Sequence, residues 1–416
     1  MKYIVFLGDG MAGRPLKELD GKTALRFAKT PNMDFLAQNG IAGMVKTVPE
    51  NMHPASDIAN LSVLGYDPRI FYTGRSPLEA VSMGITLNSN DVAYRCNLVT
   101  ISENSSLSDS TMIDYSAGEI STVEAAELIK SCADNFKVQD SATAWELHAG
   151  ASYRHCLVLR NGKTGSLCTP PHDISGKQIK DFLPEGENSG LFLSLMEQSR
   201  KILENHPINI KRKEEGLNPA NCCWFWGEGT KPDLASFSSR YGVSGGVISA
   251  VDLIKGIGIC AELKSIDVPG ATGTLHTDYS AKAAAALKLL ETQDFVYLHV
   301  EAPDECGHHK DIEGKIYAIE SIDREIIGPV IKTLAAKGEA YSALLMPDHP
   351  TPIEIGTHTT DPVPFVLYRP LDNFTVSAEA YSECDCAKTG IFIQNGFEMM
   401  DMLIKYSKND LIALKK

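Results

Sequence analysis

Apolar runs and apolar residues at helical spacing alternate along the first part of the chain. A short apolar run at 3–7 predicts a buried strand, and start and stop signals bound a helix over 30–40. A second strand follows at 42–48, and a new helical pattern begins near Ser56. A strand, a helix, a strand and a helix in this order are typical of the beginning of an α/β sheet.

The same alternation returns towards the end of the chain. Its patterns predict helices over 279–292, 315–336 and 395–407 and strands over 295–302, 342–349 and 363–370. Between the two regions, polar turns separate strand-like runs from a helix over 191–206, which is typical of an α+β domain. The chain is therefore expected to form an α/β core with a central, largely parallel sheet flanked by helices. The core would comprise residues 1–72 and 265–416, split by an inserted α+β domain at 73–264.

Composition narrows the classes of partner. The chain has 416 residues, enough for two domains, and a formal net charge of −14. This acidic balance argues against nucleic acid or an anionic membrane surface as the main partner. Apolar runs stay far below the roughly 20 residues that a membrane-spanning helix needs, and no export signal is recognised. The ten cysteines have no regular spacing, so they are expected to be reduced thiols of a cytoplasmic protein.

Acidic and imidazole side chains stand at the ends of the predicted core strands. The carboxyl ends of strands in an open α/β sheet meet at one edge, so these side chains are expected to converge. They are Asp9, Asp304, His308, Asp348, His349 and, in a nearby loop, His358. Asp and His donors suit Zn²⁺ or Mn²⁺, and two such ions would serve an in-line phosphoryl displacement.

Each part of this pattern also has a purely structural interpretation. An Asp-His pair at a strand end is often a solvated turn, and His308 with His309 could form a surface pair. The clustering of titratable residues at successive strand ends favours the metal site over these alternatives. Four other histidines are expected to be structural or exposed: His148, His206, His276 and His299.

Ser56 lies in HPASDIANLSVLGYDP, residues 53–68, just before an apolar-periodic run. A serine at the start of a helix commonly caps its free N–H groups, which is a structural role. The same position would stabilise an anion through the helix dipole and the free amides, so a phosphorylated serine is the alternative. The local pattern leaves both interpretations open.

Seven motifs carry a resemblance that covers nearly the whole chain. In chain order they are FLGDGM, HPASDIANLSVLGYDP, GRSPLEA, VPGATG, EAPDECGH, MPDHPTP and THTTDPVPF. Together they resemble the archaeal-type cofactor-independent phosphoglycerate mutases of the alkaline phosphatase superfamily. The resemblance implies an alkaline-phosphatase-like core with an inserted substrate-binding cap, and interconversion of 2-phosphoglycerate and 3-phosphoglycerate in glycolysis and gluconeogenesis. It implies a small phosphorylated substrate and no 2,3-bisphosphoglycerate.

The resemblance also implies the residues of the site. Ser56 is similar to the phosphoserine nucleophile of that family. One metal ion would be held by Asp9, Ser56, Asp348 and His349, and the other by Asp304, His308 and His358. The two divalent ions are expected to be Mn²⁺ or Zn²⁺, with Mg²⁺ as a third candidate.

Three arginines of the inserted domain match positions where that family binds substrate. They are Arg75, Arg95 and Arg154. A guanidinium group suits both phosphate and carboxylate because it can pair with either in a bidentate manner. A surface or interdomain ion pair is the alternative role for Arg154.

One stretch departs from the family pattern. Where an Arg-rich D-R-R-A-G-R segment is common, this chain reads IDYSAGEI, with Asp114, Tyr115, Ser116 and Glu119. Fewer guanidinium groups and an added carboxylate would suit a substrate that bears an ammonium group. The alternative function is therefore a homoserine-kinase-like phosphotransferase of the same family, acting on an amino-acid-like substrate in threonine biosynthesis. A metal-binding protein without activity is a third hypothesis, and the sequence leaves the oligomeric state open.

Overall fold

A computed structural model describes residues 1–137, 144–372 and 377–414. The chain divides into two compact units. The core unit comprises Met1–Tyr72 and Asp233–Lys416, and the inserted unit comprises Thr73–Pro232. Within the described residues, every helix is too short or too polar to cross a membrane.

The strands of the described residues are numbered in chain order. They are β1 (Lys2–Gly8), β2 (Ile41–Val45), β3 (Val92–Ile101), β4 (Met112–Asp114), β5 (Trp145–His148), β6 (Arg154–Leu159), β7 (Ser166–Leu167), β8 (Glu185–Gly186), β9 (Cys222–Thr230), β10 (Gly245–Ile248), β11 (Lys264–Ile266), β12 (Phe295–Val300), β13 (Tyr341–Met346), β14 (Val363–Tyr368) and β15 (Phe392–Ile393).

The α-helices are numbered in the same way. They are α1 (Ala24–Phe27), α2 (Pro31–Asn39), α3 (Ser56–Val63), α4 (Pro68–Phe71), α5 (Ser76–Ser82), α6 (Thr122–Asn135), α7 (Ser189–Leu203), α8 (Pro207–Glu214), α9 (Phe237–Tyr241), α10 (Asp252–Cys260), α11 (Tyr279–Leu290), α12 (Ala302–His308), α13 (Ile312–Ser321), α14 (Gly328–Ala336), α15 (Glu383–Ala387), α16 (Met399–Ile404) and α17 (Lys408–Ala413).

An eight-stranded sheet organises the core unit. Its strand order is β11-β10-β12-β1-β13-β14-β2-β15. The pairings from β11 to β13 are parallel, and only β14 runs antiparallel to both of its neighbours. The predicted α/β core with a largely parallel sheet is confirmed. Because β12, β1 and β13 are adjacent and parallel, the residues that follow them share one edge of the sheet.

Helices of the core unit cover the sheet and bury its apolar strands. Every residue of β12 and β13 is buried, and so are the last five residues of β1, as expected for parallel strands covered on both faces. Helix α2 begins at Pro31, where a missing N–H costs nothing. The carboxylate of Asp323 then accepts a hydrogen bond from the Met33 N–H at 2.7 Å and supplies the missing cap.

A separate antiparallel sheet forms the inserted unit. The central strand β3 pairs with β6, β9 and β4, and β5 pairs with β6. Helices α6 and α7 contribute apolar side chains to the same core as β3 and β9. Ser121 is the N-cap of helix α6; its hydroxyl accepts from the Glu124 N–H and donates to the Glu124 carboxylate at 2.6 Å.

The sequence pattern predicted that residues 233–264 belong to the inserted domain. In the structure they belong to the core unit. Strands β10 and β11 extend the core sheet from β12 by parallel pairing. The core unit therefore resumes at Asp233 rather than at residue 265. Both strands are short, and β10 begins with two glycines, so their apolar pattern was too brief to indicate a core sheet.

Two predicted helices differ from the expected regular form. The helix predicted over 315–336 is interrupted by a π-helical turn, Ile322–Ile327, between α13 and α14. Pro329 lacks the N–H that a regular α-helix would use at this point. The closing helix predicted over 395–407 is reduced to α16, preceded by a 3₁₀ turn at Gly396–Glu398.

Candidate active site

Three buried aspartates gather where β1, β12 and β13 end. Asp9 directly follows β1, Asp304 lies in the first turn of α12, and Asp348 follows β13 by two residues. Their approach depends on Gly10, which has a φ of +60°. A Cβ at this glycine would lie 2.5 Å from Asp304 Oδ1 and 2.5 Å from Thr351 Oγ1, so a larger residue would obstruct the cluster.

Three histidines complete the cluster around these carboxylates. The Nε2 atoms of His308 and His358 lie 3.1 Å and 3.4 Å from the Asp304 carboxylate oxygens. His349 lies with its Nε2 3.6 Å from Asp9 Oδ1. Two sets of ligand atoms each lie within 4.8 Å of one another, Asp304 with His308 and His358, and Asp304 with Asp9 and His349. Asp304 thus contributes to both sets, whereas the resemblance implies that it holds one ion only.

Ser56 is the first residue of helix α3, and the N-cap is Ala55. Its side chain makes no capping bond, and its Oγ lies 3.2 Å from His349 Nε2. Ser56 therefore does not cap the helix in the described structure, although the sequence left that interpretation open. The hydroxyl instead faces the cluster of aspartates and histidines from the start of a helix.

Side chains around the cluster hold Asp348 and Asp304 in place. Asp348 Oδ1 accepts from the Gly10 N–H at 3.1 Å, and its Oδ2 accepts from Asn60 Nδ2 at 2.7 Å. Thr351 Oγ1 donates to Asp304 Oδ1. Buried Lys315 donates to the Thr351 carbonyl at 2.7 Å and to the Ala12 carbonyl at 3.3 Å. Both loops that follow β1 and β13 are thereby attached to α13.

The cluster is electrostatically short of positive charge. Burial, together with the charges of Asp348 and Asp304, raises the pKa of Asp9 well above its ordinary value. Burial would also raise the pKa of Asp304, yet hydrogen bonds from two histidines hold it well below its ordinary value. The hydrogen bond to Asp304 raises the pKa of His308 to about 9, while burial lowers the pKa of His349. A bound cation would favour ionisation of all the carboxylates.

The residues present fit a divalent metal ion. Asp9 Oδ1 is buried and has no hydrogen-bond donor among the described residues. A buried carboxylate oxygen without a donor is costly, and a cation beside it would remove that cost. Aspartate oxygens, imidazole nitrogens and the Ser56 hydroxyl form a mixed O and N donor set, which suits Zn²⁺ or Mn²⁺.

The three predicted substrate arginines all lie in the inserted unit. Arg75 and Arg95 approach opposite oxygens of the Glu79 carboxylate at 2.9 Å and 3.0 Å. Arg95 is buried over the Trp226 ring, and this burial lowers its pKa to about 10. Arg154 is exposed and donates to the Tyr153 hydroxyl at 2.9 Å.

The IDYSAGEI stretch uses its aspartate within its own turn. The carboxylate of Asp114 accepts from the N–H groups of Ser116 and Gly118, from the Ser116 hydroxyl and from Asn218 Nδ2, all at 2.7–2.8 Å. Its bonds are consistent with a structural role for Asp114. Glu119 is exposed at a φ of +51°, and Tyr115 packs edge-on against Tyr153.

Several residues that shape the cluster were missed by sequence reasoning. His299 is buried, with its Nε2 2.9 Å from Asp9 Oδ2, and burial lowers its pKa to about 3. Asn60 and Thr351 bind Asp348 and Asp304. His299 lies within β12 rather than at its end. The sequence signal that could have identified it is that Tyr297 and His299 stand two residues apart in an otherwise apolar strand.

Sequence comparisons with known proteins indicate one family. A family model described as 2,3-bisphosphoglycerate-independent phosphoglycerate mutase matches residues 37–209. Proteins of that name from Methanothrix thermoacetophila and Methanosarcina acetivorans are 48% and 47% identical to this chain, over 97% of it and 100% of each relative. The structure of the PH0037 protein from Pyrococcus horikoshii superposes with a TM-score of 0.82 at 27% identity, covering 100% of this chain and 98% of that one. The homoserine-kinase-like alternative receives no support from these relatives.

Proposed function

The chain belongs to the 2,3-bisphosphoglycerate-independent phosphoglycerate mutase family, and from that premise we propose that it interconverts 3-phosphoglycerate and 2-phosphoglycerate through a phosphorylated Ser56. One observation carries the proposal. The Ser56 hydroxyl stands at the start of α3, beside a buried cluster of aspartates and histidines that fits divalent ions. No 2,3-bisphosphoglycerate is needed in this scheme, because the serine itself carries the phosphoryl group between the two hydroxyls.

The Ser56 oxygen acts as the nucleophile in the first transfer. The Ser56 hydroxyl loses its proton, its bond to phosphorus forms as the bond from phosphorus to the glycerate oxygen breaks, and that glycerate oxygen takes up a proton. In the second transfer the other glycerate hydroxyl loses its proton and attacks phosphorus, the bond from phosphorus to Ser56 Oγ breaks, and the serine oxygen takes up a proton. Because Ser56 opens α3, the helix dipole favours the phosphoserine anion at this position.

Two divalent ions, Mn²⁺ or Zn²⁺ in preference to Mg²⁺, complete the proposed site. Asp9, Asp348, His349 and Ser56 would hold one ion, and Asp304, His308 and His358 would hold the other. Bound ions would favour the serine alkoxide and offset the charge of the transferred phosphoryl group. Asp304 belongs to both sets of ligand atoms, which supports two ions that lie close to each other.

Arg75, Arg95 and Arg154 are proposed to bind the anionic groups of the substrate. Glu79 holds two of these guanidinium groups side by side, which suits a ligand with a carboxylate and a phosphate. The exposure of Arg154 leaves its guanidinium accessible.

A substrate assay with purified protein tests the proposal. The protein is incubated with Mn²⁺ and 3-phosphoglycerate in the absence of 2,3-bisphosphoglycerate, and 2-phosphoglycerate is followed by phosphorus NMR. A parallel reaction contains Mn²⁺, ATP and homoserine. We expect an equilibrium mixture of the two phosphoglycerates in the first reaction and no phosphohomoserine in the second. Formation of phosphohomoserine without 2-phosphoglycerate would overturn the proposal.

A further inference from the structure

Strand β12 carries two buried polar side chains on one face. Tyr297 and His299 are two residues apart, so they project from the same side of the strand. Each makes a hydrogen bond towards the aspartate cluster, although neither stands at the end of the strand. An apolar strand has no need of these groups for packing, and burying them requires partners.

The bonds around His299 form a chain with one consistent direction. The Val251 N–H donates to Ser249 Oγ at 3.0 Å, and Ser249 Oγ lies 3.2 Å from His299 Nδ1. His299 Nε2 lies 2.9 Å from Asp9 Oδ2. When Asp9 is ionised, as it would be beside a bound cation, its carboxylate only accepts hydrogen bonds, so His299 Nε2 carries the proton. Nδ1 must then accept, and the Ser249 hydroxyl is its donor.

This chain fixes one oxygen of Asp9 and leaves the other available. Asp9 Oδ2 is bonded to His299, whereas Asp9 Oδ1 has no donor among the described residues and lies 3.6 Å from His349 Nε2. The bonded oxygen therefore sets the rotation of the carboxylate, and the bare oxygen faces the group formed with Asp304 and His349.

We propose that His299 is a positioning residue, which holds Asp9 so that its free oxygen is presented to a divalent cation. The inference rests on the proposed metal-dependent function. Ser249 is the second member of this device, because it fixes which imidazole nitrogen bears the proton.

A second series of hydrogen bonds begins on the same strand and orients Asp348. The Tyr297 hydroxyl donates to Asn60 Oδ1 at 2.6 Å, and Asn60 Nδ2 donates to Asp348 Oδ2 at 2.7 Å. Two aspartates at neighbouring strand ends are thus each oriented by a neutral donor chain that reaches them from β12. The repetition favours a positioning role over incidental pairing of one buried histidine.

The test measures the binding of Mn²⁺ in the absence of substrate, by the loss of the free-ion EPR signal. His299→Leu removes the donor, and His299→Gln keeps an N–H at a similar distance from the backbone. His155→Leu is the matched control, because His155 is a buried histidine of the inserted unit. We expect His299→Leu to weaken one Mn²⁺ site by about 10- to 100-fold. His299→Gln should restore most of the affinity, and His155→Leu should leave it unchanged.

Turnover gives a second readout. At saturating Mn²⁺, His299→Leu should recover most of its kcat, with the KM for 3-phosphoglycerate unchanged. If His299→Leu does not fold, His299→Asn replaces it, since its amide is too short to reach Asp9, and the same order of affinities is expected. Wild-type Mn²⁺ affinity in His299→Leu, or no recovery in His299→Gln, would overturn the proposal. Because metal affinity is measured without substrate, failure of the mutase assay alone would leave this result interpretable.

Discussion

At the scale of single residues, Ser56 combines a helix start with a cluster of potential metal ligands. Ser56→Ala removes the only oxygen that would carry the phosphoryl group, so mutase activity and labelling of the protein by phosphorylated substrate should both fall to background. Ser62→Ala is the matched control, because Ser62 lies in the same helix and its buried hydroxyl has no partner among the described residues. The thermal midpoint should change little in either variant. Wild-type turnover in Ser56→Ala would exclude the phosphoserine.

Arg75 offers a test of substrate binding with little cost in stability. The Arg75 side chain is 44% exposed, and its partner Glu79 keeps the ion pair with Arg95 when Arg75 is replaced. Arg75→Gln should raise the KM for 3-phosphoglycerate by about 10-fold, the effect of one lost charge-assisted hydrogen bond, with an unchanged thermal midpoint. Arg69→Gln is the control, since Arg69 forms a comparable surface pair with Asp67. Equal KM values in the two variants would argue against a substrate contact.

The convergence of single residues was predictable where they stood at a strand end. Asp9 and Asp348 were identified because the topology of an α/β sheet brings strand ends together. His299 was missed because it lies inside β12, where a polar residue in an apolar strand first suggests a structural role. The hydrogen bonds of Asp114 could not be predicted from the sequence either, because they depend on the conformation of its turn and on Asn218, which is distant in the chain.

At the scale of elements, helix α13 is attached to the site loops through Lys315. Burial lowers the pKa of this lysine to about 8 from an ordinary 10.5. Between these pH values the unfolded chain binds more protons than the folded one, so the free energy of unfolding should rise with pH. The expected rise is about 3 kcal/mol across this window. Lys315→Met should remove that rise.

Urea unfolding of metal-free protein, measured at several pH values from 8 to 10.5, checks this prediction. Wild type and Lys315→Met are compared, so that titrations common to both cancel. Lys288→Met is the control, because Lys288 is an exposed lysine of helix α11. An identical pH dependence in wild type and Lys315→Met would show that Lys315 keeps its ordinary pKa when folded.

Elements with a clear period or a continuous apolar run were predicted well, and those with neither were not. The apolar runs of β1, β12 and β13 predicted buried parallel strands. Strand β3 was not predicted, because it is buried along its whole length yet contains Arg95 and Asn97, so it shows neither alternation nor a continuous apolar run. Its polar residues are accommodated by an ion pair with Glu79 and by hydrogen bonds with Tyr115 and Trp226, which the sequence does not reveal.

At the scale of the whole molecule, the division into two units separates the proposed metal ligands from the proposed substrate arginines. The residues proposed to bind metal belong to the core unit, and the arginines proposed to bind substrate belong to the inserted unit. This division of roles was predicted from the family resemblance, which places the metal ligands in the core and the substrate arginines in the inserted domain. The sequence did not predict that the core unit resumes at Asp233. The short, glycine-rich strand β10 is recognisable as part of the core sheet only from its pairing with neighbouring strands.

Metal removal should therefore act on one unit. Without a cation, Asp9, Asp304 and Asp348 are buried together, so chelation by EDTA should abolish activity and destabilise the core unit. Saturation with Mn²⁺ at 100 times its dissociation constant should raise the free energy of unfolding by about 2.7 kcal/mol. Hydrogen exchange should slow in peptides that follow β1 and β13 and stay unchanged in β3 and β6.

Asp304→Asn, which removes the carboxylate shared by both ligand sets, should lose most of this response. Equal stabilisation of wild type and Asp304→Asn by Mn²⁺ would place the ion elsewhere.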